Sequence, residues 1–87
     1  MIYSRNIMVT VDVGLHARPA AEFAKVAKAS GAVVTVGRVG GPQVSASSPL
    51  RILTLKIGCQ EEIVVNVDGI EEARALEILN ALENTVR

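Results

Sequence analysis

Aromatic side chains are almost missing from this chain, which holds no Trp, one Tyr and one Phe in 87 residues. A surface that grips single-stranded nucleic acid by stacking bases on rings is therefore excluded. Apolar residues still make up 49% of the sequence, so the core must be built from Val, Ile, Leu and Ala, with Phe23 as the one large ring to anchor it. Excess charge is missing too. Nine basic residues balance nine acidic ones, which removes the positive field of a general nucleic-acid binder and leaves partners to be read from local patches. Cysteine is limited to Cys59, which excludes an intrachain disulfide, leaves a zinc site short of its usual ligands, and reads as a small apolar loop residue. No apolar run approaches the roughly eighteen residues of a membrane span, and Met1-Ile2-Tyr3-Ser4-Arg5 lacks the apolar run of a signal peptide. The expectation is a soluble protein of the reducing cytoplasm without membrane insertion. Neither a glycine-rich nucleotide loop nor a carboxylate cluster suited to Mg²⁺ is visible, so no metal, no cofactor and no turnover independent of a partner are expected.

The length suits one domain, residues 1–87, with a single core and too little volume to enclose a deep cavity, so a surface site is expected. Ile7, Val9 and Val11 alternate within residues 2–11 and predict a half-buried first strand. From Ala17 to Ser30 the spacing of Ala20, Phe23, Ala24 and Ala27 predicts a helix, with Glu22, Lys25 and Lys28 on its other faces and Gly31 closing it. The β-branched stretch 32–36, the turn Gly40-Gly41-Pro42 and Val44 predict a hairpin. Ser48-Pro49 reads as a helix cap followed by proline in first position, opening a short helix with Leu50, Ile52, Leu53 and Leu55. Glu62 to Val67 reads as a fourth strand, closed by Asp68-Gly69. The last helix runs from about Glu71 to Thr85, with Ala73, Leu76, Leu79 and Leu82 as its apolar spacing and Glu71 and Glu72 matching the dipole of its first turn.

The order β-α-β-β-α-β-α predicts an α+β domain in which one four-stranded sheet carries helices on one face. Periodicity leaves this fold, a ferredoxin-like fold and an ACT-like fold as alternatives.

The chemistry concentrates in Gly14-Leu15-His16-Ala17-Arg18-Pro19-Ala20, where the only histidine stands beside an arginine at a helix start. The first amides of a helix lack intrahelical partners and carry partial positive charge, so anionic groups settle there. Proline is tolerated in that first turn. With His16 as cap, the backbone amides of Ala17 and Arg18 are free to face a phosphoryl group on the imidazole, and Arg18 adds a planar fork of donors. A lone histidine at a helix start is also an ordinary cap or surface residue, and both readings stand on spacing alone.

Beyond spacing, residues 14–28, Gly-Leu-His-Ala-Arg-Pro-Ala-Ala-Glu-Phe-Ala-Lys-Val-Ala-Lys, closely resemble the HPr family of bacterial phosphocarriers. The second stretch, Ser45 to Leu55, is similar to the family's regulatory-serine segment, and the resemblance covers essentially the whole chain. It implies an open-faced β-sandwich with a four-stranded antiparallel sheet and three helices on one face. By the same resemblance, His16 accepts a phosphoryl group on Nδ1 from enzyme I of the phosphoenolpyruvate-dependent sugar phosphotransferase system and passes it to EIIA components of sugar permeases. Arg18 and the Ala17 and Arg18 amides would stabilise that group. The positive field would also favour the neutral ring that attack on phosphorus requires. Ser48 aligns with the serine that an HPr kinase/phosphorylase modifies in some relatives. It reads first as a helix cap, because Pro49 and Arg51 depart from the kinase-substrate pattern. Leu50 and Leu53 match an apolar docking patch or belong to the core, and Arg51 would favour acidic partners. Val13 stands where many relatives carry a small polar residue. A monomer is expected. A carrier of the nitrogen-regulatory or dihydroxyacetone-kinase branch fits the same residues. A regulatory or metabolite-binding module would differ from both in taking up no covalent phosphate.

Overall fold

The computed structural model describes all of residues 1–87. Its elements follow in the order β1 (Ile2–Met8), α1 (Ala17–Ala29), β2 (Val33–Arg38), β3 (Gln43–Ser45), α2 (Pro49–Thr54), β4 (Glu62–Asp68) and α3 (Glu72–Thr85). The strands form one antiparallel sheet in the order β1-β4-β2-β3. Residue alternation divides its two faces. Ile7, Val34, Val36, Ile63, Val65 and Val67 are buried on the face that carries the helices. On the opposite, open face Asn66 accepts a hydrogen bond from Ser4 at 2.5 Å and donates to Thr35 at 3.2 Å and Gln43 at 3.3 Å. This polar row across four strands replaces a second apolar layer.

One cluster of twenty buried apolar residues fills the space between sheet and helices. Phe23 sits in it fully buried, and replacing such a ring by a methyl costs about 3–5 kcal/mol. α1 buries Pro19, Ala20, Phe23, Ala24 and Ala27, and its small residues let it lie close against α2 and α3. Gly31 follows the Ser30 C-cap with φ +76°, a left-handed turn that glycine adopts without a Cβ clash. No helix is long and apolar enough to cross a membrane.

Two details depart from the sequence expectation. β1 stops at Met8 instead of running to Val11. Val9 still donates to the Glu61 carbonyl, but the amides of Thr10 and Val11 both turn to the carbonyl of Val86 at 2.9 and 3.0 Å. The chain leaves the sheet to be held by the segment after α3. In α3 the buried face is Ala75, Ile78, Leu79 and Leu82, while Ala73 is exposed and Leu76 is 45% exposed. The expected set stepped by three residues. At about 100° per residue each such step drifts by about 60°, so a run of them winds off the core face.

Candidate functional site

His16 is the N-cap of α1, in extended conformation with φ −80° and ψ −172°. Its side chain makes no capping hydrogen bond and is exposed. Its carbonyl accepts the first helical bond, from Ala20 at 3.0 Å. The amides of Ala17 and Arg18 have no protein acceptor, as the first turn of a helix dictates, and Pro19 at the third position has no N–H to satisfy. The result is an exposed imidazole next in sequence to two free donors at the positive end of a thirteen-residue helix.

The approach to His16 is tightly determined. Gly14 donates to Val11 at 3.0 Å and His16 donates back to Gly14 at 2.9 Å, while buried Leu15 donates to Ile57 at 2.9 Å. Val13 and Gly14 have φ of +67° and +75°. Glycine meets this cheaply, whereas a β-branched valine in the left-handed region is strained. Val13 projects into solvent, 79% exposed, so its apolar group touches little.

His16 and Arg18 line one shallow cleft of about 310 Å³. Pro19 and Glu22 of α1 line it as well, together with Asp12 and with Asn84, Thr85 and Arg87 at and after the end of α3. Arg18 Nε lies 3.5 Å from Glu22 Oε1, with both side chains largely exposed. An exposed i,i+4 pair of this kind contributes only about 0.3–0.5 kcal/mol, so the guanidinium is available to a stronger anion. Arg87 Nη1 is held 2.9 Å from Glu83 Oε2.

The other residues singled out in the sequence lie on α2. The Ser48 hydroxyl oxygen accepts the Arg51 amide at 3.3 Å and Pro49 occupies the first turn, so Ser48 is a helix cap. Leu50 is 76% exposed and Arg51 is exposed, whereas Leu53 is half-buried against the core. Leu53 thus packs with the core, and Leu50 does not. α2 packs on α1, with a groove between Ala21, Lys25 and Lys28 of α1 and Ser47 and Pro49. The sequence reading did not find Asp12, Asn84, Thr85 and Arg87. No short-range pattern marks them, because only the antiparallel seating of α3 and the Val86 bonds to Thr10 and Val11 carry that end to the histidine.

The family described as "PTS HPr component phosphorylation site" matches residues 3–85 of this chain. The chain belongs to the HPr family. Phosphocarrier protein HPr of Haemophilus influenzae is 38% identical over 85 residues, spanning 98% of this chain and 99% of that protein. Phosphocarrier protein HPr of Streptomyces coelicolor is 41% identical over 78 residues, 90% of this chain and 84% of that one. The crystal structure of a phosphocarrier protein HPr from Bacillus anthracis superposes with a TM-score of 0.86 at 31% identity, covering 99% of this chain and 98% of that chain. The open-faced α+β sandwich is therefore the HPr fold, not the ferredoxin-like or ACT-like alternative. The chain is a phosphocarrier of the phosphotransferase system.

Proposed function

We propose that His16 is the phosphoryl acceptor of this phosphocarrier, charged by enzyme I and discharged to EIIA components in the cytoplasm, with residues 1–87 working as a single domain. The observation that carries the reading is the position of His16 at the N-cap of α1, its side chain free of any capping bond and the Ala17 and Arg18 amides without acceptors. The Nδ1 lone pair forms the bond to phosphorus as the bond from phosphorus to the donor breaks and its electron pair leaves with the donor. Transfer to an EIIA reverses the roles. Three phosphoryl oxygens then face the two amides and the Arg18 guanidinium, which stabilise charge that water would otherwise have to solvate. Such transfer asks the protein for positioning and electrostatics more than for covalent help, so a shallow site completed by its partner suffices. Leu50 supplies exposed apolar contact area on the neighbouring helix, and Arg51 beside it favours acidic partners.

Incubation with enzyme I and phosphoenolpyruvate, followed by intact mass measurement at neutral and acid pH, tests this. The chain should gain one phosphoryl group that acid removes, and His16→Ala should stay folded and gain none. Acid-labile phosphorylation of His16→Ala would refute the assignment.

A further inference from the structure

Away from the cleft, Arg38 at the end of β2 forms a two-pronged pair with Glu61, Nε to Oε1 at 2.7 Å and Nη2 to Oε2 at 3.1 Å. The same guanidinium donates to two backbone carbonyls past α2, Leu55 at 2.7 Å and Lys56 at 3.0 Å. Glu61 Oε2 in turn accepts the Gly58 amide at 2.6 Å. Arg38 and Glu61 thus grip the loop 55–61 at both ends. That loop is what the histidine segment rests on. Ile57 accepts the Leu15 amide, Gln60 donates to Val9 at 2.6 Å, and a Cβ at Gly14 would lie only 2.5 Å from the Gly58 Cα. All three non-glycine residues with left-handed backbone, Val13, Lys56 and Gln60, belong to these two facing loops. Backbone in that region persists only where its surroundings over-determine it.

We propose that Arg38 and Glu61 are positioning residues for phosphoryl transfer, clamping the 55–61 loop as a rigid stop against Gly14-Leu15 and so fixing His16 over the Ala17 and Arg18 amides. The inference rests on His16 as acceptor. An unclamped loop leaves Leu15 hydrogen-bonded to a moving carbonyl, and the imidazole attached to it wanders by the same amount. A displacement of about 1 Å at a reacting group is worth up to about a hundredfold in rate. Neither residue lies on α1 or stands beside Leu50 and Arg51, so the split between KM and kcat separates an effect on docking from one on the chemical step.

The test measures enzyme I turnover with this chain as phosphoryl acceptor, together with labelling by phosphoramidate. That small donor needs no docking: its P–N bond breaks and ammonia leaves as the bond to His16 forms. In folded Arg38→Met and Glu61→Ala, kcat should fall about tenfold, with KM within about twofold of wild type, and phosphoramidate labelling should slow in parallel. Arg38→Lys, which keeps the charge but loses the fork, should fall between. Should the stronger variants fail to fold, Arg38→Lys and Glu61→Gln carry the same comparison, with hydrogen exchange at the Leu15 amide faster than in wild type. Wild-type kcat in folded variants overturns the clamp, as does a raised KM with kcat unchanged. Labelling of His16→Ala at the wild-type rate would instead overturn the acceptor reading, and the clamp's role with it.

Discussion

The carbonyl of Ile57 accepts the amide of Leu15 at 2.9 Å, so the residue next to the histidine is tied across the molecule to the loop before β4. Gly14 lets the chain come close enough for that bond. Its φ is +75°, and an added Cβ would press on the Ile57 carbonyl and on Gly58. Gly14→Ala should therefore combine an unfavourable backbone conformation with a clash against backbone that cannot yield, and destabilise the fold by roughly 2–4 kcal/mol. Urea unfolding monitored by circular dichroism measures it; a change below about 0.5 kcal/mol, the range of ordinary surface substitutions, would mean the two loops separate without cost.

Arg18 should matter for transfer and hardly at all for folding, because its one ion pair is exposed. A charge-assisted hydrogen bond contributes about 1.5–3 kcal/mol, so losing one in the transition state slows transfer by roughly one to two powers of ten. Arg18→Ala should show that loss in single-turnover transfer at an unchanged melting temperature, and Arg18→Lys should recover part of it. Wild-type rates in Arg18→Ala would leave the helix amides as the sole anion site.

Arg51 stands exposed on α2 beside exposed Leu50, where a charge acts on encounter more than on the bound state. Reversing it in Arg51→Glu should slow phosphorylation by enzyme I, and the deficit should shrink as salt shortens the screening length. Slowing that is the same at low and high salt would show that Arg51 does not steer the partner.

Glu61 gives the fold a measurable acid response. The hydrogen bond from Arg38, then that from the Gly58 amide, lowers its pKa from an ordinary 4.5 to about 2. A carboxyl with a depressed folded pKa contributes stability above its unfolded pKa and loses it as pH falls through the folded one. The melting temperature of the wild type should thus decline from about pH 4.5 toward pH 2. Glu61→Gln should melt lower at neutral pH and decline less over that window. Parallel curves for the two proteins would show that the carboxylate makes no net contribution.

Much of this site was readable before the structure, for a physical reason. A helix N-terminus is a local object, and His16, Ala17, Arg18 and Pro19 carry its cap, free amides, cation and missing donor in consecutive positions. Ser48 and Pro49 were readable in the same way. Strand and helix order followed from periodicity, although periodicity could not choose among folds sharing that order; the residues resembling HPr did. Residues joined through space stayed hidden. Arg38 falls at an inward position, two residues beyond Val36 on β2, and the register that sets it opposite Ile63 brings it to Glu61. A charged residue in phase with a buried alternation was the only trace. Leu76 misled because a spacing of three fits a helix locally and fails over several turns.

Pairing of β1 with β4 alone, Met8 against Glu62 through Ile2 against Asp68, also sets an order of assembly. During synthesis β1 has no partner until α1, β2, β3, α2 and β4 have followed it, and the Val86 carbonyl that holds Thr10 and Val11 arrives later still. Contacts this distant in sequence form slowly, since the loop must close before they reward it. The chain that leads from β1 toward the histidine therefore lacks its native partners until both β4 and the Val86 carbonyl have been made.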